Sequence, residues 1–323
     1  MSGTRKRKAL FPIFWIFLIL LLALNGVAYL HAYRFTHFSQ ANPAAAAFPK
    51  TTDLRTLSPG QKAKALLSGV PLPRPENSMT PTLPYTEVQL RGQKTLGAWF
   101  LPVQNPKGTV ALFHGYGGDK SRMLSKAEAL VQLGYNALLV DFMGSGTSEG
   151  NSTSIGFWEA EQVKTAYSYL LEKDLEPIYL LGTSMGAVAI MKAMQDYPVM
   201  SPAGLILEVP FGTMQRTVEN RFRIVGAPAF PVAHLLLFWG GLQQGFNAYA
   251  HNPVAYARSI STPTLLLYGE QDDRVDREEI DEIFANLQGE KELRTYPLAG
   301  HENYLVKYRE EWRRDVAAFL QRY

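Results

Sequence analysis

The sequence predicts an α/β fold: a mostly parallel sheet with helices on both faces. Three observations carry this. Short apolar runs, "TVALFH", "NALLVD", "PIYLLG", "GLILEV" and "TLLLYG", read as strands buried on both sides rather than as alternating half-exposed ones. Stretches of helical length separate most of these runs, which is the rhythm of parallel crossovers. The composition of the 323 residues, 46% hydrophobic and 19% charged, allows a sizeable core and is that of a globular chain.

In chain order, the first element is "RKRKALFPIFWIFLILLLALNGVAYLHAYR". No side chain from Ala9 to Leu30 is charged, and that span makes about 33 Å of helix, enough to cross a hydrocarbon core of about 30 Å. Arg5, Lys6, Arg7 and Lys8 precede it and Arg34 follows it. The positive-inside bias then predicts a cytoplasmic N-terminus and a following domain on the other side of the membrane. Cleavage as a signal peptide behind "GVA", ending at Ala28, is the alternative, with secretion as its consequence. Residues 1–34 are therefore expected as tail and anchor, and residues 35–84, rich in Ala, Pro, Ser and Thr, as a tether with one short helix around Gln61 to Leu67.

Residues 85–323 hold the α/β pattern. "TEVQLR" and "TLGAWFL" read as an opening hairpin, and "ELRTYP" as the last strand. Helices are expected at about Lys120 to Leu133, Ile155 to Lys173, Met185 to Tyr197, Arg277 to Leu287 and Asn303 to Leu320. A segment at about 212–262 interrupts the alternation. Its "PAFPVAHLLLFWGGL" is short for a bilayer span but apolar for a surface loop, so it is expected to be a helical lid-like insertion or a helical excursion packed on the core.

Of the 32 Lys and Arg, five lie in the acid-free first 34 residues, and the remaining 27 face 29 Asp and Glu. So balanced a body argues against a nucleic-acid partner, which needs clustered cations along one face. The chain has no cysteine, which excludes disulfides, thiolate metal sites and a thiol nucleophile.

"Gly182-Thr183-Ser184-Met185-Gly186" falls between a strand and a helix. Small residues two positions either side of the serine permit the sharp turn that lifts its hydroxyl clear of a sheet. Such a hydroxyl needs a base, and the base a carboxylate to hold its tautomer. Of the six histidines, His31 and His37 flank the apolar helix, His114 lies in another motif, and His234 and His251 belong to the insertion. His301, in the loop after the last strand, is left as the base. Asp272 is the preferred acid, in "GEQDDRV" after the preceding strand, with Asp273, Asp276 and Glu208 as alternatives. Asp141 is expected to fix the "FMGSGTSEG" loop by local hydrogen bonds. The glycine-rich "FHGYGG" follows a strand, and the backbone amides of Tyr116 and Met185 are the expected oxyanion donors.

Together "FHGYGG", "DFMGSGTSEG", "GTSMG", "GEQDDRV" and "AGHEN" resemble, in order and spacing, the α/β-hydrolase superfamily, and in particular its membrane-anchored, serine-aminopeptidase-like branch. The resemblance covers about Tyr85 to Tyr323. It implies the α/β-hydrolase fold, Ser184 as nucleophile, Asp272 as acid because Gly269 and Val275 occupy the flanking motif positions, and His301 as base. The loop lacks the "HGGG" run of many lipases. The implied reaction is acyl transfer from an ester, thioester or amide through an acyl-enzyme to water, with no metal or organic cofactor required. An apolar, lipid-like acyl substrate is expected from the anchor and the apolar insertion. An acyltransferase on the same triad, or a non-catalytic binding module on this fold, are the competing readings.

Overall fold

Five strands without an exposed side chain form the middle of one sheet: β5 (Thr109–Phe113), β6 (Asn136–Val140), β7 (Ile178–Thr183), β8 (Gly204–Glu208) and β9 (Thr264–Gly269). The computed structural model describes residues 3–39, 58, 60, 64, 67, 69, 71–224 and 226–323. The short helix expected at Gln61 to Leu67 lies for the most part outside them. The sheet is completed by β3 (Thr86–Arg91) and β4 (Thr95–Leu101) on one side and β10 (Lys291–Tyr296) on the other, in the order β10-β9-β8-β7-β5-β6-β4-β3. Only β4 runs against its neighbours. Strand β3, at the edge, is mostly exposed, as a strand with one solvated face should be.

This order dictates where the helices go. From β5 the chain steps one way to β6, then crosses back over β5 to β7 and continues through β8 and β9 to β10. Right-handed crossovers therefore place helix α2 (Leu124–Gln132) on one face, and α3 (Glu159–Glu172) and α4 (Met185–Asp196) on the other. The direction reverses at β5, so the crevice at the C-terminal ends of β5 and β7 is the position where open α/β sheets bind ligands.

Between β8 and β9 the insertion is helical, with α5 (Met214–Ile224) and α6 (Val232–Gln244) followed by a single turn at Pro253–Tyr256. Helix α7 (Arg277–Asn286) follows β9. The stretch expected as one helix from Asn303 breaks at Tyr308 into a turn, Tyr304–Lys307, and α8 (Arg309–Arg322). Likewise α3 begins at Glu159 and not at Ile155, because the Glu159 carboxylate is wrapped by the Thr153 and Ser154 hydroxyls and the Gly156 amide, a loop that bends through positive φ at Ile155 and Gly156.

At the N-terminus, α1 (Gly3–Thr36) is a single helix whose Pro12–Thr36 part is long and apolar enough to cross a membrane. Ile13, Phe14, Ile16, Phe17, Leu20 and Leu22 are exposed on it. Its last three turns instead pack on the insertion: Trp239 Nε1 donates to Asn25 Oδ1 (3.2 Å), Gln243 Nε2 donates to the Tyr29 carbonyl (3.0 Å), and Ala28 and Ala32 are buried. Beyond it, β1 (Phe38–Ser39) pairs with β2 (Leu72–Pro73), so both ends of the segment expected as a tether lie against ordered structure.

Candidate active site

Ser184 is the first residue beyond β7 and the N-cap of α4, with φ +53° and ψ −114°. A non-glycine residue rarely adopts such a backbone, and strain of this kind is characteristic of functional turns. The flanking glycines make it possible. A Cβ on Gly182 would lie 2.4 Å from the Gly186 carbonyl carbon, and one on Gly186 would lie 2.3 Å from the Phe113 carbonyl oxygen. Strand, turn and helix close on each other only where those side chains are absent.

The His301 imidazole stands between the serine and an acid. Its Nε2 is 3.1 Å from Ser184 Oγ, and its Nδ1 is 2.7 Å from Asp272 Oδ2. Asp272 Oδ1 accepts from the backbone amides of Arg274 (2.8 Å) and Val275 (2.9 Å), and the carboxylate is fully buried. The loops carrying acid and base are tied together, since the Gln271 amide donates to the Ala299 carbonyl at 2.8 Å.

The three other acids weighed from the sequence stand elsewhere. Asp273 is exposed. Asp276 caps α7 and pairs with Arg223. Glu208 is buried beneath the serine turn, where it accepts from Lys126 Nζ, Thr183 Oγ1 (2.7 Å) and Trp312 Nε1 (2.8 Å). Lys126 in turn donates to Thr183 Oγ1 at 2.9 Å, so this buried pair braces the residue before the serine. Lys126→Met would leave the Glu208 charge buried and without its cation. The expected loss is about 3–5 kcal/mol of unfolding free energy by urea titration; a loss under about 1 kcal/mol would show that the pair does not brace the turn.

The glycine-rich loop after β5 lies against the same turn. A Cβ on Gly115 would be 3.3 Å from the Thr183 carbonyl oxygen and 3.5 Å from Ser184 Cβ. The Gly118 amide closes a turn onto the Gly115 carbonyl (3.1 Å), with Gly117 at φ +65°, a conformation glycine takes without steric cost. His114 fixes this loop from below. Its Nε2 accepts from the Phe142 amide (3.0 Å), which puts the proton on Nδ1, facing the Gly115 carbonyl (2.8 Å). Burial holds its pKa below the ordinary histidine value, in keeping with that neutral tautomer. Met185 is the first residue of α4, and amides at that position have no intrahelical acceptor.

Asp141 holds the "FMGSGTSEG" loop through the Thr147 amide (3.0 Å), and it also pairs with buried Lys120 at 2.5 Å. The Lys120 ammonium keeps the carboxyl below the usual range against the opposing effect of burial. His251 is likewise structural: it is buried between Tyr256 and the Ile155 carbonyl, and burial pushes its pKa down to about 4.

The fold agrees with what the chain is similar to. The family profile described as Serine aminopeptidase, S33 matches residues 104–243, a span that includes Ser184 and Tyr116 but stops short of Asp272 and His301. The Pyrococcus furiosus esterase Pf2001 superposes with a TM-score of 0.65 at 24% identity, covering 78% of this chain and 97% of that one. The chain has the α/β-hydrolase fold. It is 26% identical over 215 residues to the Bacillus subtilis (strain 168) protein YqkD, spanning 66% of this chain and 70% of that one. To the caffeoylshikimate esterase of Arabidopsis thaliana it is 33% identical over 125 residues, 34% of this chain and 36% of the relative. The partial family match and the esterase relative together support a serine hydrolase.

Proposed function

We propose that this α/β-hydrolase is a membrane-anchored enzyme that cleaves an ester, thioester or amide of an apolar acyl group through an acyl-enzyme on Ser184. The observation that carries this reading is the continuous contact from Ser184 Oγ through both nitrogens of His301 to Asp272. Asp272 holds the Nδ1 proton, which leaves Nε2 free to take the serine proton. As Oγ attacks the acyl carbon, charge develops on the carbonyl oxygen, to be met by the amides of Tyr116 and Met185. The tetrahedral adduct collapses, the bond to the leaving group breaks, and the leaving group takes the proton from Nε2. Water then gives a proton to Nε2, attacks the acyl carbon, and releases the carboxylic acid as the proton returns to Oγ. That the Arabidopsis relative is an esterase by name supports an ester over an amide.

The anchor reading rests on α1. Arg5, Lys6, Arg7 and Lys8 precede its apolar part, which favours a cytoplasmic N-terminus and a catalytic domain on the other side. Retention of the helix is supported by the contacts that Asn25 and Ala28 make, since cleavage after Ala28 would remove both residues. On this reading residues 1–34 anchor, 35–84 tether and 85–323 form the hydrolase body, with the insertion at about 212–262 as its lid. Phe230, Phe238 and Leu242 are exposed on and beside α6, the helix that packs on α1, and support a lipid-like acyl substrate.

The test is fluorophosphonate labelling of the detergent-solubilised protein, with the modified peptide identified by mass spectrometry. A single adduct on Ser184 is the expected result. A folded protein that takes up no label would favour the binding-module reading.

A further inference from the structure

Helix α5 carries three arginines, and two of them are neutralised by neighbouring acids. Arg216 pairs with Glu282 and Arg223 with Asp276, each at 2.7 Å. The third, Arg221, turns to the other side. Its guanidinium lies 4.2 Å from the centre of the Phe35 ring and 5.4 Å from that of Tyr116, and those two rings stack on each other at 5.0 Å. Tyr116 Oη also donates to the Phe35 carbonyl at 2.6 Å, so the end of α1, the lid helix and the candidate oxyanion loop meet at this one point.

The backbone of a second arginine stands beside this helix. Asn220, next to Arg221, donates from Nδ2 to the Arg274 carbonyl (3.1 Å), while the Arg274 amide donates to Asp272 (2.8 Å). Among the described residues neither guanidinium is paired with a carboxylate. Both residues are exposed. Two like charges held at a site mouth without counter-ions are relieved by an incoming anion.

We infer that Arg221 and Arg274 form an anion subsite beside the serine turn, which takes a phosphate or carboxylate on the leaving-group part of the acyl substrate. The substrate is then an anionic amphiphile, with its acyl chain toward the apolar lid and its charge on the two guanidinium groups. This rests on the assignment of Ser184 as nucleophile and adds to it a preference among esters.

The experiment compares two esters with the same acyl chain, a monoacylglycerol and a monoacylglycerol phosphate, in nonionic detergent. Wild-type protein is expected to favour the phosphate in kcat/KM by about tenfold or more, the scale of a hydrogen bond to a charged group. Arg221→Gln/Arg274→Gln should bring the ratio near one, and Arg274→Lys should keep most of it. A wild-type ratio of one, or a ratio that the double variant retains, overturns the subsite. So does an equal loss on both esters, which would mean that Arg221 acts only by supporting Tyr116.

A bilayer headgroup is the other source of such an anion. Monoacylglycerol turnover is therefore also measured in phosphatidylcholine vesicles with and without phosphatidylglycerol. Arginine-dependent activation by the anionic vesicles, with an ester ratio of one in detergent, would reassign the anion to the membrane and overturn the substrate preference. Calorimetric binding of dodecyl phosphate against dodecyl maltoside to Ser184→Ala protein reads the subsite without turnover. Phosphate-selective binding by a protein whose wild type cleaves neither ester would refute the acyl-enzyme reading and keep the subsite.

Discussion

Ser184→Ala is expected to lower kcat by about 10⁶-fold on any ester that the wild type cleaves, the scale on which removal of a triad serine acts. The loss is this large because, among the described residues, no other hydroxyl stands with Oγ at hydrogen-bond distance from His301 Nε2. What survives is the contribution of the oxyanion donors and of binding, about 10³–10⁴ over the reaction in water. The fold should survive the change. Alanine adds no atom to the tight turn, and the backbone bonds that hold it, from the Ser184 amide to the Glu208 carbonyl (2.8 Å) and from the Val188 amide to the Ser184 carbonyl (3.1 Å), involve no side chain. Kinetics should therefore be read beside a urea titration. Activity within about tenfold of wild type, at unchanged stability, would mean that catalysis does not pass through a serine ester.

The strands were legible because β5 to β9 are buried on both faces, and a parallel sheet of that kind leaves unbroken apolar runs in the text. The serine turn was legible for a different reason: only glycine fits where a Cβ would touch backbone, so Gly182 and Gly186 are written into the sequence by sterics. Helix starts were harder. The shortening of α3 depends on a carboxylate, Glu159, that draws the preceding loop around itself, and no periodicity reports that. The ion pairs in the core were not legible. Lys126 reads as an exposed helical lysine, and its role appears only when Glu208, 82 positions away, is brought beneath the same turn. The stack of Phe35, Tyr116 and Arg221 escaped for the same reason, since its members come from the apolar helix, the oxyanion loop and the insertion. Pairings across such distances are set by topology, which local residue patterns do not encode.

Asp272→Asn is expected to cost about 10⁴ in kcat, and the expectation follows from how the carboxylate is held. Oδ1 accepts two backbone amides and Oδ2 faces the imidazole Nδ1 at 2.7 Å. Asparagine has one acceptor oxygen. If that oxygen stays with the amides of Arg274 and Val275, the carboxamide NH₂ turns to His301 and must donate. The imidazole is then driven to the tautomer protonated on Nε2, which cannot take a proton from Ser184. The opposite flip would place two N–H donors against two backbone donors in a buried site, a costlier arrangement. The loss should fall on kcat with KM little changed, because the acid acts on the imidazole and not on bound substrate. Exposed Asp273 is the control, and Asp273→Asn should leave kcat within about twofold, as expected of a surface substitution. Were Asp272→Asn to retain full activity while Asp273→Asn lost it, the acid would have to be reassigned and the loop after β9 would have to rearrange to deliver it.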